Sequence, residues 1–157
     1  LIGPLSSPAQ VKRQVIGVFD KKWMKPFAEA LKENEVEHAY IVHSDDGMDE
    51  ISPFAKTHVV ELNNNNLNEF TIDPKELGIS FTNKNNLLGK NAGYNALKII
   101  EIFKGASNEF SEAVSLNVAA GLIVAGDQYD FKKAYIKAIK YLNSGKVFEY
   151  FSKIQST

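Results

Sequence analysis

The sequence predicts one α/β domain, residues 1–157, with a parallel or mixed sheet, a β-hairpin and a C-terminal set of helices. Short β-branched segments are confined to the first half of the chain, whereas long segments with helical periodicity fill the second half. The first two strand segments enclose a helical segment, which is the pattern of a parallel βαβ unit with a right-handed crossover. The 157 residues, 44% of them hydrophobic, are enough to bury one core.

The βαβ unit occupies the start of the chain. Residues 14–19 (QVIGVF) are apolar and β-branched, which predicts a strand. Asp20 then offers a helix cap, and apolar residues recur after it at helical spacing: Trp23, Phe27, Ala28 and Leu31. Residues 37–43 (EHAYIVH) predict a second, buried strand that ends at an acidic segment.

A hairpin follows. Residues 58–62 and 67–72 read as strands on either side of four consecutive asparagines, 63–66. Asparagine tolerates the positive φ that tight turns require, so the asparagine run predicts a turn rather than a recognition element.

The second half is predicted to be helical. Residues 91–103 place five apolar side chains on one side, and Gly105 ends that helix. Residues 108–125 are apolar nearly all round, which predicts a helix in the middle of the fold. Residues 131–142 show a strongly amphipathic pattern, and Ser144 and Gly145 separate this helix from a shorter one that ends near Ile154.

Composition excludes several classes of function. The net charge of -1 gives no field that would recruit nucleic acid or an anionic membrane. No apolar stretch approaches the ~20 residues that cross a bilayer, and no leader pattern opens the sequence. The absence of cysteine excludes disulfides and thiolate sites and agrees with a cytoplasmic location. The chain starts without methionine, from which we expect a fragment of a longer protein.

Two motifs fail on inspection. Residues 121–126 (GLIVAG) have the spacing of a phosphate-binding loop, but Asp127 and Gln128 stand where lysine and a hydroxyl residue should follow. His38 and His43 lie five apart on one strand and point to opposite faces, so they cannot chelate one metal together. For both, and for His58, ordinary hydrogen-bonded histidines are the preferred interpretation, although His43 stands at the end of a parallel strand where ligands collect.

The acidic segment after the second strand is the remaining candidate. It contains Asp45, Asp46, Asp49 and Glu50. A calcium loop is excluded, because the sixth and twelfth positions counted from Asp45 hold Glu50 and Lys56 instead of glycine and glutamate. Adjacent carboxylates such as Asp49 and Glu50 can share a magnesium ion. On these residues alone a solvated turn is the preferred interpretation, and a magnesium site is the alternative.

The sequence resembles the anthranilate phosphoribosyltransferase family from end to end. Residues 47–52 (GMDEIS), with the preceding VHS at 42–44, are similar to the family's VHG...GLDE[IV]S segment. Further segments match in the same order: LIGPLSSPA at 1–9, QVIGVF at 14–19, THVVEL at 57–62, LGI at 77–79, VSLNVAA at 114–120 and NSGK at 143–146. The agreement in order and spacing is more specific than any single motif.

The resemblance implies the α/β fold of the nucleoside phosphorylase and phosphoribosyltransferase type, of which this chain would be the C-terminal portion. It implies transfer of 5-phosphoribosyl from phosphoribosyl pyrophosphate to anthranilate in tryptophan biosynthesis, by a cytoplasmic homodimer. Asp49 and Glu50 would bind magnesium (Mg2+), and Gly3 and Pro4 would line the anthranilate channel. The segment 6–8 (SSP) departs from the family's TNP, which leaves any side-chain contact there open.

The resemblance also implies what the chain lacks. The family's helical domain, its GTGGD donor loop and its KHGN segment have no counterpart in these residues, so we expect no catalytic residue here and no activity from this chain alone. Two other functions stay open at this point: a pyrimidine-nucleoside phosphorylase-like domain and a non-catalytic isolated domain.

Overall fold

The computed structural model describes residues 3–5, 9–81 and 83–156. The strands in these ranges are β1 (Arg13–Gly17), β2 (His38–Ser44), β3 (Thr57–Asn63) and β4 (Asn66–Ile72). The α-helices are α1 (Met24–Glu33), α2 (Ala92–Phe103), α3 (Glu109–Ala125), α4 (Phe131–Asn143) and α5 (Lys146–Gln155). Short 3-10 turns occur at Gly3–Leu5, Lys21–Trp23, Pro74–Leu77 and Lys84–Leu87.

The four strands form one mixed sheet in the order β1-β2-β3-β4. β1 pairs with β2 in parallel, with Gly17 opposite Val42, whereas β2 with β3 and β3 with β4 are antiparallel. Because α1 connects the two parallel strands, the predicted βαβ unit is confirmed. The mixed sheet followed by a set of helices also confirms the predicted fold class.

β2 is buried on both faces, as its continuous apolar run predicts. Side chains alternate along a strand, so Ala39 and Ile41 pack on one face with α1, while Tyr40 and Val42 pack on the other with α3 and α4. The domain therefore has three layers, with helices on both faces of the sheet. The loop that leaves β2 starts from the best-buried strand of the fold.

The hairpin between β3 and β4 closes through Asn64 and Asn65. Their φ angles are 46° and 66°, and Asn63 pairs with Asn66 across the turn. Positive φ at both central residues defines the two-residue turn whose twist matches that of the flanking strands. The predicted asparagine turn is thus confirmed.

Side-chain caps fix the starts of three helices close to the predicted positions. Asn91 caps α2, Asn108 and Ser111 form a reciprocal capping box on α3, and Asp130 caps α4. Gly105, with φ 97°, follows the end of α2 as expected. Residues 121–126 belong to α3 and its cap, which confirms that they are not a phosphate-binding loop. No helix of the described residues has the length and apolar character needed to cross a membrane.

Two expectations about helix faces need correction. In α2 the side shared by Ala92, Ala96, Ile99, Ile100 and Phe103 is not the buried one, since Ile102 is the residue of this helix that is buried. Leu97 and Ile99 are exposed, so apolar residues occur on most sides of α2 and their periodicity selects no face. α3 is buried on one side only, because Val114 and Val118 form an exposed ridge.

Candidate metal and substrate site

The acidic segment leaves β2 at the edge where the two parallel strands end. Ligands of open α/β sheets bind beyond the carboxyl ends of such strands. The chain turns at Gly47, whose φ is 89°, and the turn is closed by hydrogen bonds from Gly47 N to Ser44 O and from Ser44 N to Met48 O, both 2.9 Å. The four carboxylates of this segment differ in what they contact.

Asp45 and Asp46 make hydrogen bonds to residues of the loop and of the neighbouring strand. Asp45 Oδ1 lies 2.7 Å from His58 Nε2 on β3. Asp46 accepts hydrogen bonds from Ser52 Oγ at 2.8 Å and from Met48 N at 3.3 Å. Partial burial acts to raise the pKa of Asp46, but hydrogen bonding by Ser52, Ser44 and Met48 and the charge of Lys84 outweigh it and hold that pKa below its ordinary value. These two carboxylates therefore stabilise the turn.

Asp49 and Glu50 are different. Both are exposed, and neither side chain makes a hydrogen bond or ion pair with the residues the structure describes. Two neighbouring carboxylates without protein partners suit a hard cation that takes its remaining ligands from water and phosphate oxygens, as magnesium does. No group of three acidic, histidine or cysteine side chains suited to a metal occurs in the described ranges. Asp49 and Glu50 therefore suit a site in which the cation takes its other ligands from water and a bound phosphate, rather than one in which protein side chains supply every ligand.

The backbone that carries this pair is held from β1. A Cβ atom added to Gly17 would lie 1.5 Å from the carbonyl oxygen of Asp49, a separation that no side chain permits. Glycine at this position thus allows the acidic loop to lie directly over the end of β1. The role of Gly17 was not predicted from the sequence, although a glycine near the end of a β-branched strand is a signal of close backbone approach.

The same backbone is held from α3. Asn117 Oδ1 accepts from Ile51 N at 3.0 Å, and Asn117 Nδ2 donates to Ile51 O at 3.1 Å. Ile51 is fully buried and packs with Val42 and Leu116. Sequence reasoning missed this contact as well, although a lone asparagine within an apolar helix could have pointed to it.

A cleft of about 750 Å³ lies beside the acidic pair. Its apolar lining comes from β1, β2 and α3, mainly Val15, Val42, Phe110, Val114 and Val118, and its polar members include Asp49, Glu50 and Asn117. A second cavity of about 650 Å³ is lined by α3, α4 and neighbouring residues and includes no carboxylate. The cleft beside Asp49 therefore combines an apolar surface with two exposed carboxylates, a combination that can contact an aromatic group beside a charged one.

The histidines are held by protein partners. His38 Nε2 lies 2.8 Å from Glu61 Oε1, and His43 Nδ1 donates to Val18 O at 2.8 Å. His43 faces His58 across β2 and β3, and His58 contacts Asp45. The interpretation of ordinary hydrogen-bonded histidines is confirmed.

The predicted substrate contacts Gly3 and Pro4 lie in the turn Gly3–Leu5. Leu5 packs with the core on the α1 face of the sheet, whereas the cleft lies on the α3 face. In the part of the chain that the structure describes, this turn does not lie beside Asp49 and Glu50. The contact of Gly3 and Pro4 with anthranilate therefore stays a prediction. The matched residues 1, 2 and 6–8 lie outside the described ranges.

Known proteins share the sequence and the fold of this chain. Residues 1–148 match the model of the glycosyl transferase family, a/b domain. The chain is 51% identical to an anthranilate phosphoribosyltransferase of Pelagibacter ubique, over 99% of this chain and 47% of that protein. It is 41% identical to one of Afipia carboxidovorans, over 92% of this chain and 43% of that protein. The chain thus spans about half the length of these curated relatives.

Solved structures agree on the fold. Anthranilate phosphoribosyltransferase from Thermus thermophilus superposes with a TM-score of 0.84 at 28% identity, covering 97% of this chain and 45% of that one. The enzyme from Saccharomyces cerevisiae in complex with PRPP and Mg gives a TM-score of 0.82 at 24% identity, covering 94% and 43%. At that identity the yeast structure shows a shared fold.

Proposed function

Since the chain belongs to the glycosyl transferase family through its a/b domain, we propose that it forms part of an anthranilate phosphoribosyltransferase. The reaction breaks the bond between C1 of the ribose and the pyrophosphate oxygen of phosphoribosyl pyrophosphate. A new bond joins C1 to the amine nitrogen of anthranilate, which loses a proton. The 51% identity to a relative of that name, over nearly the whole chain, is the observation that carries this proposal.

We propose that Asp49 and Glu50 hold magnesium at this site. Support comes from their exposed carboxylates, which have no partner among the described residues, and from the yeast structure, which is a complex with PRPP and Mg. Bound there, the cation would neutralise negative charge on the departing pyrophosphate. The apolar lining of the cleft would exclude water from the reacting groups and contact an aromatic acceptor.

Donor binding needs groups beyond these. Among the described residues the site offers two carboxylates and one amide, and no basic side chain lines the cleft. We therefore propose that the donor's phosphates are bound mainly by the portion of the enzyme that corresponds to the other half of the relatives. The 157-residue chain alone is expected to show no turnover, and the homodimer of the intact enzyme stays a prediction.

The test is a double substitution, Asp49→Asn with Glu50→Gln, in the complete protein that contains this chain. We expect the magnesium concentration for half-maximal activity to rise at least about 10-fold, because both ligands lose their charge. Anthranilate fluorescence follows turnover across a magnesium titration. The control is Glu29→Gln with Glu33→Gln, which makes the same charge change on the exposed face of α1.

Two results would contradict these proposals separately. Superimposable magnesium titrations for the double variant and the wild type would exclude the metal role of Asp49 and Glu50. A wild-type protein that consumes no anthranilate but cleaves thymidine or uridine with phosphate would exclude phosphoribosyl transfer and support the phosphorylase alternative.

A further inference from the structure

Asn117 is the polar residue of α3 that reaches the acidic loop. It stands among Leu116, Val118 and Ala119 in a helix that is otherwise largely apolar. Its side-chain amide makes three hydrogen bonds: from Ile51 N at 3.0 Å, to Ile51 O at 3.1 Å and to Ala113 O at 2.9 Å. Asn117 therefore joins the acidic loop to its own helix across 66 positions of sequence.

These bonds fix the orientation of the amide. Nδ2 uses both of its hydrogens, one on each carbonyl, while Oδ1 faces the N–H of Ile51. Turning the amide over would place its two donors against the Ile51 N–H and its oxygen against two carbonyl oxygens. One arrangement is therefore strongly preferred, and the backbone of Ile51 is held in the corresponding position.

Ile51 directly follows Glu50, so its position limits where the acidic pair can lie. Its side chain is fully buried, and its N–H and C=O both bond to Asn117 as they would to a neighbouring strand. On the other side of the pair, Met48 O accepts from Ser44 N. Asp49 and Glu50 thus project from a short backbone segment that is anchored at both ends, while their own side chains make no hydrogen bond or ion pair with a described residue.

We propose that Asn117 is a positioning residue for the metal ligands: its amide holds Ile51 so that Asp49 and Glu50 face the cleft together. This inference rests on the proposed function, and specifically on the metal role of the pair. Groups that orient metal ligands without touching the metal affect affinity by about 10 to 100-fold when they are removed. Asn117 lines the same cleft, and its side chain is occupied by three protein atoms.

The experiment measures Mn2+ binding by the loss of the free Mn2+ signal in electron paramagnetic resonance. Inorganic pyrophosphate is present at a fixed concentration, and the signal lost to the Mn2+–pyrophosphate complex without protein is subtracted. Manganese is bound by the same oxygen ligands as magnesium and is directly observable. In the complete protein that contains this chain, Asn117→Ala is expected to weaken Mn2+ binding about 10-fold. Asn117→Gln, which keeps the amide but displaces it by one methylene, is expected to give an intermediate affinity.

The matched control is Asn108→Ala. It removes an asparagine from the N-terminus of the same helix, where Oδ1 accepts from Phe110 N and Ser111 N, without touching the loop. Asn108→Ala destabilises α3 through its cap, so it separates a general loss of helix stability from a loss of ligand positioning. We expect its Mn2+ affinity to equal that of the wild type.

Several results overturn the inference. Wild-type affinity in Asn117→Ala excludes a positioning role, and so does an equal loss in Asn108→Ala. Absence of saturable Mn2+ binding by the wild type also overturns it, because there are then no ligands to position. The proposed phosphoribosyl transfer is judged separately by anthranilate consumption, so each of the two can fail while the other stands.

Discussion

Two polar connections leave the central sheet, and they are held in different ways. The connection between β3 and β4 is formed by Asn64 and Asn65, whose positive φ angles close the turn locally. The acidic connection between β2 and β3 depends on distant residues, since Gly17 provides the space for Asp49 and Asn117 bonds to Ile51. Local backbone geometry is thus enough to close the β3–β4 turn. The acidic loop, in contrast, is held beside the cleft by contacts from β1 and α3.

The largest effect expected is that of Gly17→Ala. The added Cβ would lie 1.5 Å from Asp49 O, so the acidic loop or β1 must shift. We expect a loss of about 3 kcal/mol in the free energy of unfolding, at the upper end of overpacking substitutions, together with weaker metal binding. Urea unfolding and Mn2+ titration check the two effects.

Gly121→Ala is the control for that substitution. Gly121 lies inside α3, and a Cβ added there would meet no atom within 4 Å other than those of its chain neighbours and of its own helical backbone. We expect this variant to be more stable by about 0.5 to 1 kcal/mol, because alanine is the better helix former. If Gly17→Ala behaved like Gly121→Ala, the acidic loop would not depend on close approach to β1.

Asp46→Asn tests the part of the acidic loop that stabilises itself. The substitution replaces a carboxylate that accepts hydrogen bonds from Ser52 Oγ and Met48 N. We therefore expect the free energy of unfolding to fall by about 1 kcal/mol at neutral pH. Because the folded-state pKa of Asp46 is lowered from 3.8, its stabilisation is present above that pH and is lost as the pH falls through the folded value. Urea unfolding at several pH values measures the difference between wild type and variant.

The control for this pH dependence is Glu33→Gln, at an exposed position of α1 whose side chain has no partner among the described residues. The free energy of unfolding of Glu33→Gln should stay close to that of the wild type across the same pH range. The wild type and Asp46→Asn should have similar free energies of unfolding well below pH 3.8. If the wild type were still more stable there by the same amount, the effect would not come from ionisation of Asp46.

Much of the fold could be predicted from local sequence because local rules govern it. The cap at Asn108, the turn at Asn64 and the buried run of β2 each follow from residue types at short spacing. The buried side of α2 could not be predicted, since Leu97 and Ile99 add apolar residues that remain exposed and leave the periodicity without a single direction.

For the site, the sequence indicated which residue types are present but not how they are used. Asp45, Asp46, Asp49 and Glu50 have the same chemistry and lie close together, yet the first two bond within the fold and the last two do not. That distinction depends on His58 and Ser52, whose approach is decided by tertiary packing. On residue chemistry alone a solvated turn was preferred, and the family resemblance was needed to favour a metal site.

The smallest effect, and the sharpest contrast with the acidic loop, is expected for Asn65→Gly. Asn65 has a φ of 66°, a conformation that glycine adopts without steric cost, and Asn-Gly is the preferred pair for this two-residue turn. We expect the free energy of unfolding to rise by about 0.5 kcal/mol, whereas Asn65→Ala should lower it by about 1 kcal/mol.

Because the hairpin turn is held locally, Mn2+ affinity should equal that of the wild type in both variants, measured under the conditions used for Asn117→Ala. A change in metal affinity on altering Asn65 would mean that the two connections are coupled through β3, and the separation between a locally held turn and a remotely held site would then be wrong.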